Sequence, residues 1–384
     1  MVNRGAPIRD RVRVLWVIKG LGPGGAEQLL VQAARAGDHT RFEYHVAYAV
    51  AAKDQFVSVL TETGVMVHPL AHAADRGPRW LVRLARLLRN GDFDVVHTHS
   101  PLLAGMVRLL VRCLPRRRRP ELLYTEHNRW GQYRRSTRWL NAATYPLEGT
   151  VLAVSEGVRQ TVARRLRDRV VTLHHGIDLD HVRHHAGHRA SVREELGVAD
   201  EQVLVGTIAN LRREKAYEDL LDAAGLLLQR RDNVRFVSVG QGPLEAELRQ
   251  RHAQLGLGEG FRFLGYRPDA LRLLAGFDLF VLSSHHEGLP VAVMEAQALG
   301  TPIVATAVGG LPEAVTDGID GVLVPPARPA ELADAIDQLA SDPERRQRMQ
   351  VAARRSAERF DVVRAVQALE ERYVEAAVTR GGGR

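Results

Sequence analysis

The chain has 384 residues, 45% of them hydrophobic and 26% charged, with a formal net charge of +8. That length suits two ordinary domains rather than one core, and no apolar run approaches the ~18 residues needed to span a bilayer. The charge is uneven: residues 1–190 hold 30 Lys+Arg against 16 Asp+Glu, and the rest hold 23 against 29.

The start, MVNRGAPIRDRVRVLWVIKG, reads as a first strand rather than a signal peptide, because its apolar part is only Val12 to Ile18 and has charge inside it. Further strand-like runs follow at 44–50, 64–70, 94–99, 122–127 and 150–155. They are continuous rather than alternating, as expected when helices cover both faces of a sheet. Helical patterns such as AEQLLVQAARA (26–36) and RWLVRLARLLRN (79–90) lie between them, which gives a βαβ series and a parallel sheet. The segment 174–190, rich in His, Gly and Asp, lacks periodicity and reads as a linker. A second series begins at 203–209 and continues at 234–240, 261–265, 279–284, 302–306 and 321–325. The end is helical, broken at Asp342-Pro343, and closes on GGGR as a frayed tail. The expected architecture is two doubly wound α/β domains, 1–180 and 181–360. Strand carboxyl ends should face a cleft between them, where ligands of such sheets bind.

Several strand ends carry chemistry. In SSHHEGLPVAVMEAQALGTPIVAT (283–306), an apolar strand delivers Glu287, Pro290 suits the first turn of a helix, and Glu295 lies inside that helix. A helix N-terminus there favours phosphate, whereas carboxylates favour hydroxyl groups. A ligand with both is a nucleotide sugar. The plain alternative is a solvated loop glutamate and a surface helix glutamate. KGLGPGGAEQLL (19–30) offers Gly22, Gly24 and Gly25 for close backbone approach, but it lacks the third glycine of a dinucleotide fingerprint. GTIANLRREKAYEDLLDAA (206–224) crowds Arg212, Arg213 and Lys215 into a βα turn. His97 and His99 are expected on alternate sides of their strand, shaping a loop rather than chelating a metal. Without a Cys or carboxylate partner, the histidines of 174–188 do not make a zinc site. The single Cys113 excludes an intramolecular disulfide and fits a reducing compartment.

Glu287 and Glu295, with seven residues between them, resemble the E-x7-E motif of retaining GT-B glycosyltransferases of the family-4 type. The segment 287–325 is similar to that family throughout, and the order of the other motifs extends the resemblance over the whole chain. The resemblance implies two Rossmann-like domains, with a last helix (361–378) returning to the first. It implies that Glu287 and the backbone of Gly288 and Leu289 meet the donor sugar or phosphate, and that Glu295 holds the ribose hydroxyls. Gly24 and Gly25 would approach the donor phosphates and the acceptor. Lys215 would grip the diphosphate, and the backbone near Tyr266 and Arg267 would meet the base. His127 matches a histidine near the donor sugar. Two positions depart from the pattern. Asn210 stands where an arginine is usual, leaving Arg212 or Arg213 to compensate, and Ala216 replaces a common glycine.

The expected activity is hexosyl transfer with retention from a UDP- or GDP-sugar to a glycan or lipid-linked acceptor, with His127, Glu287 and Lys215 in the catalytic site. No metal or other cofactor is expected, since no D-x-D motif sits at a strand end. A nucleotide-sugar 2-epimerase of the same fold and a non-catalytic carbohydrate- or membrane-binding partner remain open. The arginine run 116–119 beside the amphipathic LLAGMVRLLVRCL (102–114) suits an anionic membrane surface, hence a cytoplasmic protein peripheral to the cell membrane. Nucleic acid is not expected, because no recognised motif or aromatic interleaving is present.

Overall fold

A computed structural model describes residues 11–22, 24–72 and 77–382. The chain divides after Gly176 and again after Asp361 into two compact units. The first unit carries β1 (Val12–Ile18), β2 (Phe42–Tyr48), β3 (Met66–Pro69), β4 (Val95–Thr98), β5 (Glu121–Glu126), β6 (Thr150–Ala153) and β7 (Val170–Thr172). These strands are all parallel, in the order β3-β2-β1-β4-β5-β6-β7. Trp16, Tyr44, Val95 and Leu123 fill one sheet face and Leu15, Val17, Val96 and Leu122 the other, which is why these strands are apolar without alternation. The crossovers include α1 (Gly25–Ala36), α2 (Pro101–Arg112) and α3 (Arg135–Thr144).

The second unit carries β8 (Val203–Ile208), β9 (Val234–Val239), β10 (Phe261–Gly265), β11 (Leu279–Leu282), β12 (Ile303–Thr306) and β13 (Gly321–Val324), parallel in the order β10-β9-β8-β11-β12-β13. Its helices include α4 (Tyr217–Leu228) and α5 (Val291–Leu299). In both sheets the chain winds outward from the first strand, then reverses across it. The switch points therefore lie at β1/β4 and β8/β11, where doubly wound sheets open a crevice at their carboxyl ends.

The final helix, α6 (Val362–Gly382), belongs to the first unit. Tyr373 Oη accepts from Trp16 Nε1 at 3.0 Å, Glu370 accepts from Tyr44 Oη at 2.6 Å, and Arg380 Nη1 pairs with Asp94 at 2.5 Å. Each is a buried or half-buried polar contact that fixes the helix register on the sheet. The helix runs through Gly382, beyond the point where the GGGR tail was expected to fray.

Segment 174–190 corrects the expectation of an aperiodic linker. Leu179–His184 is helical, capped by Asp178 accepting from His181 N at 2.9 Å, and a 3-10 turn leads into a helix over Arg189–Glu195. Leu179, Val182 and Val192 are its buried anchors. The sparse apolar positions, set among histidines, hid the helical period. β7 was also missed. It is three residues long, and an edge strand with one exposed valine gives little apolar signal.

Candidate active site

In the second unit, the β8/β11 switch point brings the two motif loops together. Lys215 Nζ donates to Glu287 Oε1 at 2.6 Å. The Ser284 hydroxyl donates to the same oxygen, which leaves Oε2 without a partner among the described residues. The loops are bound to each other by backbone as well. His285 N donates to Glu214 O at 2.9 Å, and Ser283 Oγ donates to Lys215 O and Ala216 O at 3.0 and 2.9 Å. His285 Nε2 meets Asp219 Oδ2 at 2.7 Å. The pair is therefore held by a rigid double loop and not by two free side chains.

Ala216 shows why a glycine is common at its position. Its φ of 46° and ψ of 50° are left-handed, a conformation that costs a residue with a Cβ about 1–2 kcal/mol. Gly309, with φ +58°, packs so closely that a Cβ there would sit 1.9 Å from Glu287 O, and Gly310 N donates to Gly288 O at 2.7 Å. These glycines set the path of the 287–289 backbone.

α5 opens at Pro290 with no side-chain cap, so its first amides and positive dipole end are available to an anion. Leu289 is buried beside it. Glu295, one turn further, is half-buried with no partner among the described residues, and burial pushes its carboxyl up to about 7. Asn210, Arg212 and Arg213 are exposed on the β8 loop, and the Arg212 guanidinium lies 4.0 Å from Glu214. Tyr266 is exposed. The Arg267 guanidinium is engaged through Nε and Nη2 by Asp269 at 2.8 Å and through Nη2 by Glu195 at 2.9 Å.

In the first unit, β4 and β5 deliver a histidine cluster. His97 bridges Tyr373 Oη and Thr125 Oγ1, each at 2.7 Å, and His99 Nδ1 meets His127 Nε2 at 3.1 Å. The rings of His97 and His99 lie 4.1 Å apart. This corrects the expectation that they alternate sides, since residues two apart on a strand share a face. Burial holds His97 at about 3, His127 at about 4 and His99 well below its ordinary range, so all three are neutral at pH 7. They form the polar wall of a cavity of about 80 Å³ whose other walls include Leu29, Ala33, Val366 and Leu369. Gly24 precedes α1 with the Glu27 carboxylate of the first turn against it, where a Cβ would sit 2.4 Å from Glu27 Oε2, while a Cβ at Gly25 would meet nothing within 4 Å.

Glu126, beside His127, was not singled out by sequence. Its buried carboxyl accepts from Tyr124 Oη at 2.7 Å, from Trp130 Nε1 at 2.5 Å and from Tyr133 Oη, and burial pushes it up to about 7. It ties the 128–133 loop to the end of β5. Ser284 was missed as well, because a serine pair at a strand end carries no signal until its hydroxyl is seen on Glu287. Among the described residues, no group of three or more His, Cys, Asp or Glu side chains is arranged to hold a metal ion.

Two family profiles match this chain, Glycosyltransferase Family 4 over residues 23–181 and Glycosyl transferases group 1 over 188–356. The chain is 35% identical over 315 residues to a D-inositol 3-phosphate glycosyltransferase of Geodermatophilus obscurus, covering 75% of this chain and 67% of that one. The chain is a group 1, family-4 glycosyltransferase. A second D-inositol 3-phosphate glycosyltransferase, of Saccharomonospora viridis, is 32% identical over 76% of this glycosyltransferase and 72% of its own length. The putative glycosyltransferase EpsD of Bacillus subtilis is 27% identical over 76% and 79%. The GT-B fold is shared with Anabaena HepE in complex with UDP and glucose, at TM-score 0.83 and 22% identity over 94% of this chain and 99% of that one. It is also shared with a glycosyltransferase from Rickettsia africae, at TM-score 0.80 and 20% identity over 96% and 99%.

Proposed function

We propose that this glycosyltransferase moves a hexosyl group from a UDP- or GDP-sugar to a hydroxyl acceptor with retention at the anomeric carbon and without a metal ion. The observation that carries the reading is the Lys215–Glu287 pair beside the open N-terminus of α5, with the unpartnered Glu295 one turn along. Lys215 has two further N–H donors for diphosphate oxygens. Together with the α5 amides it would meet the charge that builds on the leaving group. Glu287 Oε2 and the backbone of Gly288 and Leu289 are suited to sugar hydroxyls, and Glu295 to a ribose diol. His127, neutral and with Nδ1 unpartnered among the described residues, can accept from or donate to a sugar or acceptor hydroxyl.

The acceptor is read as glycan or lipid-linked, with the protein working in the cytoplasm at the membrane surface. A second acceptor class, a phosphorylated polyol, is favoured by the names of the two relatives at 35% and 32% identity. The test is incubation of the purified enzyme with nucleotide sugars and each acceptor class, reading nucleoside diphosphate release and the anomeric configuration of the product by NMR. Acceptor-dependent release with an axially retained linkage is expected. Release of equal rate without acceptor would favour a 2-epimerase, and an inverted product would overturn the retaining assignment.

A further inference from the structure

The basic half of the chain contains one long stretch with almost no acidic residues. Between Ser100 and Leu147 there are ten arginines against two glutamates. Glu126 is buried under three donors, and Glu121 begins β5. Neither α2, nor the turn after it, nor α3 contains an acidic residue. Arg112, Arg116, Arg117, Arg118, Arg134, Arg135 and Arg138 are all exposed, and none makes an ion pair among the described residues. Arg119 is different. Its guanidinium donates to Leu114 O at 3.0 Å and to Arg112 O at 2.7 Å, which braces the turn that presents the three arginines before it.

Apolar side chains stand among this charge. Trp139 on α3 is 74% exposed, and Leu102 and Leu109 on α2 are 43% and 48% exposed. Leu102 and Leu109 are seven residues apart and share one helix face, opposite the buried Leu103, Val107 and Val111. α2 and α3 are successive right-handed crossovers, β4 to β5 and β5 to β6, so they lie on the same side of the sheet. They pack tightly, since a Cβ at Gly105 would sit 2.6 Å from Leu140 Cγ, while Arg108 is buried between them on Glu148 and Asn141. With Asn141 and Thr144 turned inward, Trp139 projects outward from α3.

We propose that the outward faces of α2 and α3 dock on an anionic lipid bilayer, with Trp139, Leu102 and Leu109 in the headgroup–acyl boundary and the seven arginines on lipid phosphates. Tryptophan with aliphatic neighbours and a surrounding arginine field is the composition that settles at that boundary. A nucleic acid would use the arginines and leave the leucines without a role. A second copy of this chain would bring two like-charged faces together. The inference leans on the reading above only in placing the acceptor at a membrane, and it extends the surface from the arginine turn to a two-helix face centred on Trp139.

The test uses the full chain with sedimented vesicles that are either purely zwitterionic or about one-third anionic lipid, without any sugar donor. Binding to the anionic vesicles alone is expected, weakening as salt screens the charge, with a blue shift in tryptophan emission that Trp139→Phe abolishes. The combined change Trp139→Ala with Leu109→Ser should lower partitioning at least tenfold. Arg134→Ala, Arg135→Ala and Arg138→Ala should each lower it by about fivefold. All variants should keep the wild-type melting temperature. Absence of binding, equal binding to zwitterionic vesicles, or variants that bind like the wild type would each overturn the proposal, as would self-association that depends on Trp139 in place of vesicle binding. A protein that binds vesicles but transfers no sugar would fail the enzymatic reading and leave this one standing.

Discussion

Lys215 Nζ and Glu287 Oε1 lie 2.6 Å apart across 72 positions of sequence, on the loops that follow β8 and β11. Both side chains are largely shielded, at 21% and 7% exposure. Lys215→Ala removes the partner of a shielded carboxylate and, on the proposed function, a donor for the leaving diphosphate. It should cost about 1–3 kcal/mol of stability and about 10²–10³-fold in transfer rate. Glu287→Gln keeps the acceptor for Lys215 and Ser284, so it should stay within about 1 kcal/mol in stability while losing transfer. Denaturant melts paired with transfer assays separate the two effects. Transfer at the wild-type rate by Lys215→Ala would remove it from the leaving-group role.

On the proposed function, Glu295 would set a pH dependence of nucleotide binding. Burial pushes its carboxyl up to about 7, above an ordinary 4.5, and a ribose diol donates best to the ionised form. Affinity should therefore weaken as pH falls below about 7, with proton release on binding near neutrality. For stability the sign is opposite: the raised group contributes most below about 4.5, and that contribution is lost as pH rises to about 7. Titration calorimetry in buffers of different ionisation heat, wild type against Glu295→Gln, reads the difference. Identical pH profiles for the two proteins would sink the assignment.

The histidine cluster predicts acid sensitivity. His97 at about 3 and His127 at about 4 are depressed from 6.5, so the unfolded chain binds more protons in that interval. Their stabilisation is complete above pH 6.5 and is lost as pH falls toward 4. Glu126 and Glu295 work in the opposite direction between about 4.5 and 7, so the informative quantity is a difference between proteins. His127→Asn should lose about 1–2 kcal/mol less than the wild type between pH 7 and pH 5, as read by urea unfolding at the two pH values.

Backbone strain at the site gives a paired test. Ala216→Gly removes a buried methyl but relieves a left-handed φ, so it should fall within about 1 kcal/mol of the wild type. Gly309→Ala meets Glu287 O at 1.9 Å with φ +58°. It should destabilise by about 2 kcal/mol or more and weaken nucleotide binding by displacing the 287–289 backbone. A fully active, stable Gly309→Ala protein would show that this backbone path is not needed.

Much of the architecture was legible because strands buried on both faces leave continuous apolar runs, and Val12–Ile18, Val203–Ile208 and Ile303–Thr306 all did so. What hid was short or marginal: β7 at a sheet edge, and the Leu179–His184 helix whose few apolar anchors sit among histidines. In the site, the spacing of Glu287 and Glu295 was visible in the chain. That Lys215 would meet Glu287 follows from strand order, which spacing alone does not give. Ser284, Gly309 and Glu126 act through contacts made only after folding. The misreading of His97 and His99 was one of period, since a two-residue separation keeps them on one face of β4.

The most direct measurement is the melting temperature of the purified protein with UDP, GDP and ADP and their common sugars, with and without EDTA, for the wild type, Lys215→Ala and Glu295→Ala. A ligand that binds only the folded chain raises the melting temperature by mass action, by about 2.7 kcal/mol of stability at a hundredfold excess over its Kd. One nucleotide class should stabilise the wild type, should do so equally in EDTA, and should lose its effect in both variants. If no nucleotide stabilises the protein, or if both variants respond like the wild type, the donor site at the β8/β11 switch point is contradicted.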